Sequence, residues 1–169
     1  PLDGTLRIGA RSFAPSERLV MAIVNRTPDS FYDPGSTWTP DRALARVQEA
    51  VAQGADLVDI GGVKAGHGQF VDEAEEIRRV VPFLQDARER YPHLVLSLDT
   101  WRSEVARAAD GVVDLVNDTW AGHDPDLAGV AAQPFPRDLV AGGGGGKAQP
   151  EVLVLHRLVR RGLPALRLP

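Results

Sequence analysis

Four short apolar runs punctuate the chain: Leu19–Val24, Leu57–Ile60, Leu94–Leu98 and Val112–Val116. Each is rich in Val, Leu or Ile, and each is followed by a stretch with helical character. This alternation predicts strands buried on both faces of a parallel sheet and joined by crossover helices. Thr39-Pro40 offers an N-cap followed by proline at the first helical position. Ala43, Leu44, Val47, Ala50 and Val51 then form one apolar stripe, and Gly54 closes the helix. Asp72 followed by Glu75 resembles a capping box, opening a second helix with Ile77, Val80, Val81 and Leu84 inward and a kink at Pro82. A third helix is expected from about Arg102 to Ala109, and a short fourth turn after Asp124-Pro125. The order βαβαβαβα implies right-handed crossovers and an α/β fold.

The polar residues at the ends of these runs carry more information than the helices. The runs end in Asn25, in Asp59 with Gly61-Gly62 beyond it, in Asp99-Thr100 and in Asn117-Asp118. Parallel α/β folds, and barrels above all, gather their active sites at the carboxyl ends of strands. Short polar residues there also cap the following helix, but four in succession point to a site.

Composition narrows the setting. The 169 residues, 43% hydrophobic and 25% charged, suit one compact domain over 1–169. With no cysteine there is no disulfide, thiol nucleophile or cysteine-ligated metal, which suits a cytoplasmic protein. No stretch approaches the roughly 18 apolar residues of a membrane span, and the opening lacks the apolar core of a signal peptide. Residues 1–136 carry 13 Lys and Arg against 21 Asp and Glu, whereas 137–169 carry 6 against 2. An acidic body argues against nucleic acid as a partner. The basic Arg157, Arg160 and Arg161 fall at the end of a predicted helix, where cations favour the dipole. His93, His123 and His156 show no metal-ligand spacing; Trp38, Trp101 and Trp120 either border a site or pack.

The segment Met21-Ala-Ile-Val-Asn-Arg-Thr-Pro-Asp-Ser-Phe31 resembles the first strand and loop of the dihydropteroate synthase family. Leu57-Val-Asp-Ile-Gly-Gly62, Leu96-Ser-Leu-Asp-Thr100 and Leu115-Val-Asn-Asp118 are similar to its next three strand ends, in the same order, so the resemblance spans 19–132. It implies a (β/α)₈ barrel of TIM type and a reaction that joins a dihydropterin, carried as its diphosphate, to para-aminobenzoate. It also implies that Asn25 helps hold magnesium and diphosphate, and that Asp99 and Asn117 line the pterin pocket. The chemistry suits those roles, because an ionised carboxylate offers two acceptors to adjacent ring and amino donors, and an amide offers one acceptor and donors.

Several positions depart from the family pattern. The second loop reads Gly61-Gly-Val-Lys-Ala-Gly-His-Gly68, placing Ala65 where the family has a threonine and Gly66 where it has an arginine. A hydroxyl and a bidentate guanidinium are thereby lost, and Lys64 or His67 offers at most a point charge. The first loop, Phe31-Tyr-Asp-Pro-Gly-Ser36, and Arg26 also differ. Asp138 to Lys147 resembles the sixth-strand segment, with Val140 at the pterin-contacting aspartate. Gly142 to Lys147 does not meet the phosphate-loop pattern, having Ala148 at the hydroxyl position, and is expected to be a linker. Glu151 to Leu168 is similar to a sixth helix and seventh strand, with an inward stripe of Leu153, Leu155, Leu158 and Val159.

A TIM barrel takes roughly 250 residues and seldom fewer than about 200, so an incomplete barrel of about six of the eight strands is expected over 1–169, with a shortened and altered carboxyl-terminal part at 133–169. On that expectation the later family lysine and arginine have no counterpart, and exposed strand edges leave the product unstable or drive formation of a homodimer. The readings are therefore a magnesium-dependent synthase using dihydropterin diphosphate and para-aminobenzoate, a non-catalytic pterin-binding or interaction paralogue, or an inactive truncated product. A pterin-binding methyltransferase domain fits less well, since it would not usually carry Thr-Pro-Asp-Ser-Phe. Replacing Asp99 with Ala removes charge-assisted bonds worth about 1.5–3 kcal/mol each. Isothermal titration with a pterin analogue should show most of the affinity lost, and unchanged binding would remove Asp99 from the site.

Overall fold

A computed structural model describes residues 5–27, 39–63, 70–120 and 122–132. Ala65, Gly66, Lys64, His67, Trp38, Val140 and the expected sixth and seventh strands lie outside the described residues. The first elements are a hairpin that the apolar runs do not predict: β1 (Leu6–Ile8) and β2 (Arg11–Phe13) pair antiparallel across Gly9-Ala10. Gly9 sits at φ 61°, the positive value that a two-residue hairpin turn requires at its first central position.

The four apolar runs form β3 (Met21–Asn25), β4 (Leu57–Gly61), β5 (Val95–Asp99) and β6 (Leu115–Asn117), parallel and adjacent in chain order. Helices α1 (Pro40–Ala52), α2 (Glu73–Arg90) and α3 (Ser103–Ala108) form the crossovers, and α4 (Leu127–Ala131) follows β6. The α/β class and the parallel order are those the sequence predicts.

Helix ends follow local chemistry. Asp72 accepts from the Glu75 backbone N–H at 2.8 Å, capping α2 as its sequence implies. The Glu75 carboxylate does not return to complete the box but pairs with Arg78 and Arg79. Gly54, at φ 89°, ends α1 in a Schellman motif, its N–H bonding the Val51 carbonyl while Ala55 bonds that of Ala50. The second helix continues through Pro82 as a single element.

Because side chains alternate along a strand, each strand sorts its residues between two faces. Ala22, Val24, Val58, Ile60, Leu96 and Leu98 pack with Leu44, Val47, Val80, Phe83, Leu84 and Val105 of the helices. Val116 joins Ala106, Leu127 and Val130. On the opposite face, Leu57, Val95 and Leu115 pack with Ile8 and Phe13, so the hairpin closes the amino-terminal end of that face. The same face becomes polar toward the carboxyl ends of the strands.

The first run departs from the expectation of burial on both faces. Val20, Met21 and Ile23 are 57%, 38% and 46% exposed, because β3 is the sheet's edge among the described residues and only its helix-facing Val24 is sealed.

One buried charged group ties the layers together. Glu76, on α2, accepts from the Thr100 hydroxyl at 2.7 Å and pairs with Arg102, which also donates to the Val71 carbonyl at 2.7 Å. Burial pushes the Glu76 carboxyl above its ordinary range, and the bonds from Thr100 and Arg102 pull it back. Replacing Arg102 with Met removes the counter-charge and should cost about 3 kcal/mol at pH 7. Without its partner Glu76 takes up a proton more readily folded than unfolded, so its stabilising contribution grows as pH falls. Urea unfolding should therefore show a smaller deficit at pH 5 than at pH 7; a deficit that is constant or widens on acidification contradicts this assignment.

Candidate active site at the carboxyl edge

Strand register assembles the site. Asn25 pairs with Gly61, Gly61 with Asp99, and Asp99 with Asn117, one row across all four strands at their carboxyl ends. Adjacent in-register residues share a face, so the three side chains project to the same side as the missing side chain of Gly61. A methyl group built on Gly61 would lie 3.5 Å from Asp99 Oδ2 and 3.6 Å from Asn25 Oδ1. The space over Gly61 is thus bordered by β3 on one side and β5 on the other. Backbone bonds extend the ladder past the row, from Arg26 N–H to the Gly61 carbonyl at 2.7 Å and from Thr100 N–H to the Asn117 carbonyl at 3.2 Å.

One layer below lies a second polar group. Asp59, buried among Ser97, Leu115 and Ile23 in the adjacent register row, accepts from Ser97 Oγ at 2.5 Å and from Asn117 Nδ2 at 3.0 Å. This Asn117 bond links β4 to β6 across β5. Contact between alternate strands is how the interior layers of a TIM barrel are built. Asn117 is only 4% exposed, Asp99 is half-buried and Asn25 is exposed, so the row opens from floor to rim. Asp99 Oδ1 also accepts from Thr119 Oγ1 at 3.1 Å.

Not every polar strand end belongs to this face. Thr100 serves Glu76 on the helix side. Asp118 accepts from the backbone N–H groups of Trp120 and Gly122 at 2.9 and 2.7 Å, shaping its own loop. Asp124 accepts from Ser103 N–H at 2.7 Å, joining the loop after β6 to the start of α3, and these backbone bonds hold its carboxyl below the usual range. Trp101 and Trp120, each two or three residues beyond the row, have ring centroids 6.2 Å apart, and His123 meets Trp101 edge-on at 4.8 Å. The Ser97–Asp59 pair is the part of the site that motif reading left out. Its signal was parity, since both residues lie two positions before a row residue on the same face.

Among the described residues no three His, Cys, Asp or Glu side chains gather as a metal centre. Asn25 offers one neutral oxygen, a donor set that suits magnesium arriving already chelated by phosphate oxygens. Among those residues, too, no helix is long and apolar enough to cross a membrane.

A curved parallel sheet with helices on one face and a polar row at the carboxyl edge of the other defines part of a barrel of the TIM class. The profile of the family described as pterin binding enzyme matches residues 21–138. A curated Mycobacterium leprae protein named inactive dihydropteroate synthase 2 is 54% identical over 124 residues, which cover 73% of this chain and 43% of that protein. The solved structure of Yersinia pestis dihydropteroate synthase in complex with a sulfonamide drug superposes with a TM-score of 0.70 at 35% identity, covering 76% of this chain and 47% of the other. The Xanthomonas albilineans dihydropteroate synthase in complex with 7,8-dihydropteroate gives 0.62 at 36% identity, covering 76% and 47%. The chain belongs to the pterin-binding enzyme family, among the dihydropteroate synthases, and spans less than half the length of these relatives.

The two neighbouring glycines make a contrasting pair. A Cβ on Gly62 would stand 2.7 Å from Val80 Cγ1 and 3.2 Å from Glu76 Cγ, inside the α2 contact, whereas on Gly61 it makes ordinary contacts. Gly62→Ala should lose about 1–3 kcal/mol in urea unfolding and Gly61→Ala less than about 1 kcal/mol. Equal losses would show that the tight backbone approach at Gly62 is not what requires glycine.

Proposed function

We propose that this chain is a pterin-binding member of the dihydropteroate synthase family, holding the nitrogenous edge of a dihydropterin through Asp99 and Asn117 without completing the condensation. The convergence of Asn25, Asp99 and Asn117 in one register row around Gly61 is the observation that supports it. A flat ring needs a narrow floor with acceptors spaced like its donors. Asp99 supplies two carboxylate oxygens and Asn117, on the next strand, an amide, while Gly61 leaves the space between Asp99 and Asn25 unfilled. Asn25 stands at the opposite side of that gap, where its amide oxygen would face a diphosphate and its magnesium. Magnesium held there with the substrate would supply positive charge against the leaving diphosphate.

In the family reaction, the amine nitrogen of para-aminobenzoate bonds to the exocyclic methylene carbon of the pterin. The carbon–oxygen bond to the diphosphate breaks, and pyrophosphate and the amine proton leave. Side chains of this chain favour binding over that step. Ala65 and Gly66 remove a hydroxyl and a guanidinium from the second loop. The Mycobacterium leprae relative bears the word inactive in its name. The second reading, a turning-over synthase, draws on Asn25 and the intact Thr27-Pro-Asp-Ser-Phe31 segment. A cytoplasmic location and a homodimer belong to the same reading.

Calorimetric titration of the full chain with 6-hydroxymethyl-7,8-dihydropterin diphosphate and magnesium should give saturable heat. Adding para-aminobenzoate should then release no pyrophosphate above the rate without protein. Absence of heat overturns the pterin reading, and sustained pyrophosphate release replaces the non-catalytic reading with the synthase.

A further inference from the structure

We infer that Asp59 is a positioning residue, fixing which end of the Asn117 amide is presented to a bound ring. The inference rests on the pterin reading above and extends it to a residue that cannot touch the ligand. Asp59 is 2% exposed and lies one layer beneath the row, with Asn117 above it. Asparagine is ambiguous on its own, because rotating its amide by 180° exchanges an acceptor for two donors at almost no change in shape. A carboxylate removes that ambiguity. One oxygen of Asp59 accepts from Ser97 Oγ at 2.5 Å and the other from Asn117 Nδ2 at 3.0 Å. An amide oxygen turned downward would meet a carboxylate oxygen about 3 Å away, and the two buried acceptors would repel.

The nitrogen end of Asn117 is thus committed to the floor, and Oδ1 is the end turned away from it. With Asp99 beside it in the same row, the site presents a run of acceptors. That arrangement matches a ring edge carrying adjacent N–H and amino donors and rejects an edge carrying acceptors. Ser97 completes the device from the other side, since its hydroxyl holds the second carboxylate oxygen and so fixes the carboxylate plane. The whole group is built from inner-face positions of three strands and needs no loop to order it.

The conservative replacement provides the control. In Asp59→Asn, the new amide can turn its oxygen to Asn117 while its nitrogen donates to the Ser97 hydroxyl, or turn the other way, so the required orientation is kept in part of the population. Asp59→Leu has similar bulk and no acceptor. With the full chain and 6-hydroxymethylpterin as probe, Asp59→Leu should weaken binding by about tenfold or more and Asp59→Asn by less than about threefold. In an Asn117→Ala background, Asp59→Leu should add no further loss, because the positioning acts only through that amide.

The side-chain amide resonances of ¹⁵N-labelled Asn117 read the same contact without ligand: they should shift most in Asp59→Leu, which removes the hydrogen-bond partner, and less in Asp59→Asn, which keeps one. If the leucine variant does not fold, Asp59→Ser, too short to reach Asn117, replaces it in the cycle. Wild-type binding together with equal losses in both backgrounds, or unshifted resonances in the leucine or serine variant, overturns the positioning role alone. Absence of wild-type binding overturns the pterin reading and the ligand-facing part of this inference with it.

Discussion

The structure depends on the curvature of a parallel sheet whose strands end in register. Asn25 and Asp99 border the space over Gly61 from either side, and curvature brings Asp59 and Asn117 into hydrogen-bond contact across β5. In a flat sheet the intervening strand would hold them apart, and four polar strand ends would be four separate helix caps. The inner face grades along the strands from Leu57 and Val95 against the hairpin, through the Asp59–Ser97 pair, to the polar row. Apolar packing at one end therefore supports hydrogen bonding at the other. The hairpin contributes to the site at a distance, by filling the end of the face that would otherwise be open.

Buried polar groups divide into two sets with different work. Glu76, Thr100 and Arg102 join a helix to the strand end on the outer side, where desolvation is offset by hydrogen bonds to both carboxylate oxygens. Asp59, Ser97 and Asn117 form the second set, on the inner side. Since β5 contributes Ser97 to one set and leads directly into Thr100 of the other, it is the strand that couples helix packing to the geometry of the row. Asp114 acts similarly at the other end of the sheet, accepting from Arg88 of α2 and from the Leu96 N–H of β5.

Much of this was legible in the sequence because parallel strands advertise themselves as short apolar runs and helices as stripes with caps. Thr39-Pro40, Asp72 and Gly54 each mark a helix end that the structure contains. The hairpin was not legible: its three-residue strands are too short for periodicity, and Gly9-Ala10 is a weaker turn signal than Asn-Gly. Exposure of Met21 and Ile23 could not be read either, because apolar character does not say whether a neighbour covers it. At the site, motif positions located Asn25, Asp99 and Asn117, while Asp59 looked like one more strand end. What distinguished it was the partner it meets across β5, and that depends on curvature rather than on spacing.

Amide chemical-shift mapping of the full chain with a 6-hydroxymethylpterin probe measures most directly whether the register row grips a pterin. Shifts concentrated at Asn25, Gly61, Asp99 and Asn117, with Thr100 and Glu76 on the helix side little changed, are the predicted result. Saturating shifts confined to the helix side, or none at any attainable concentration, would contradict a pterin site at the carboxyl edge.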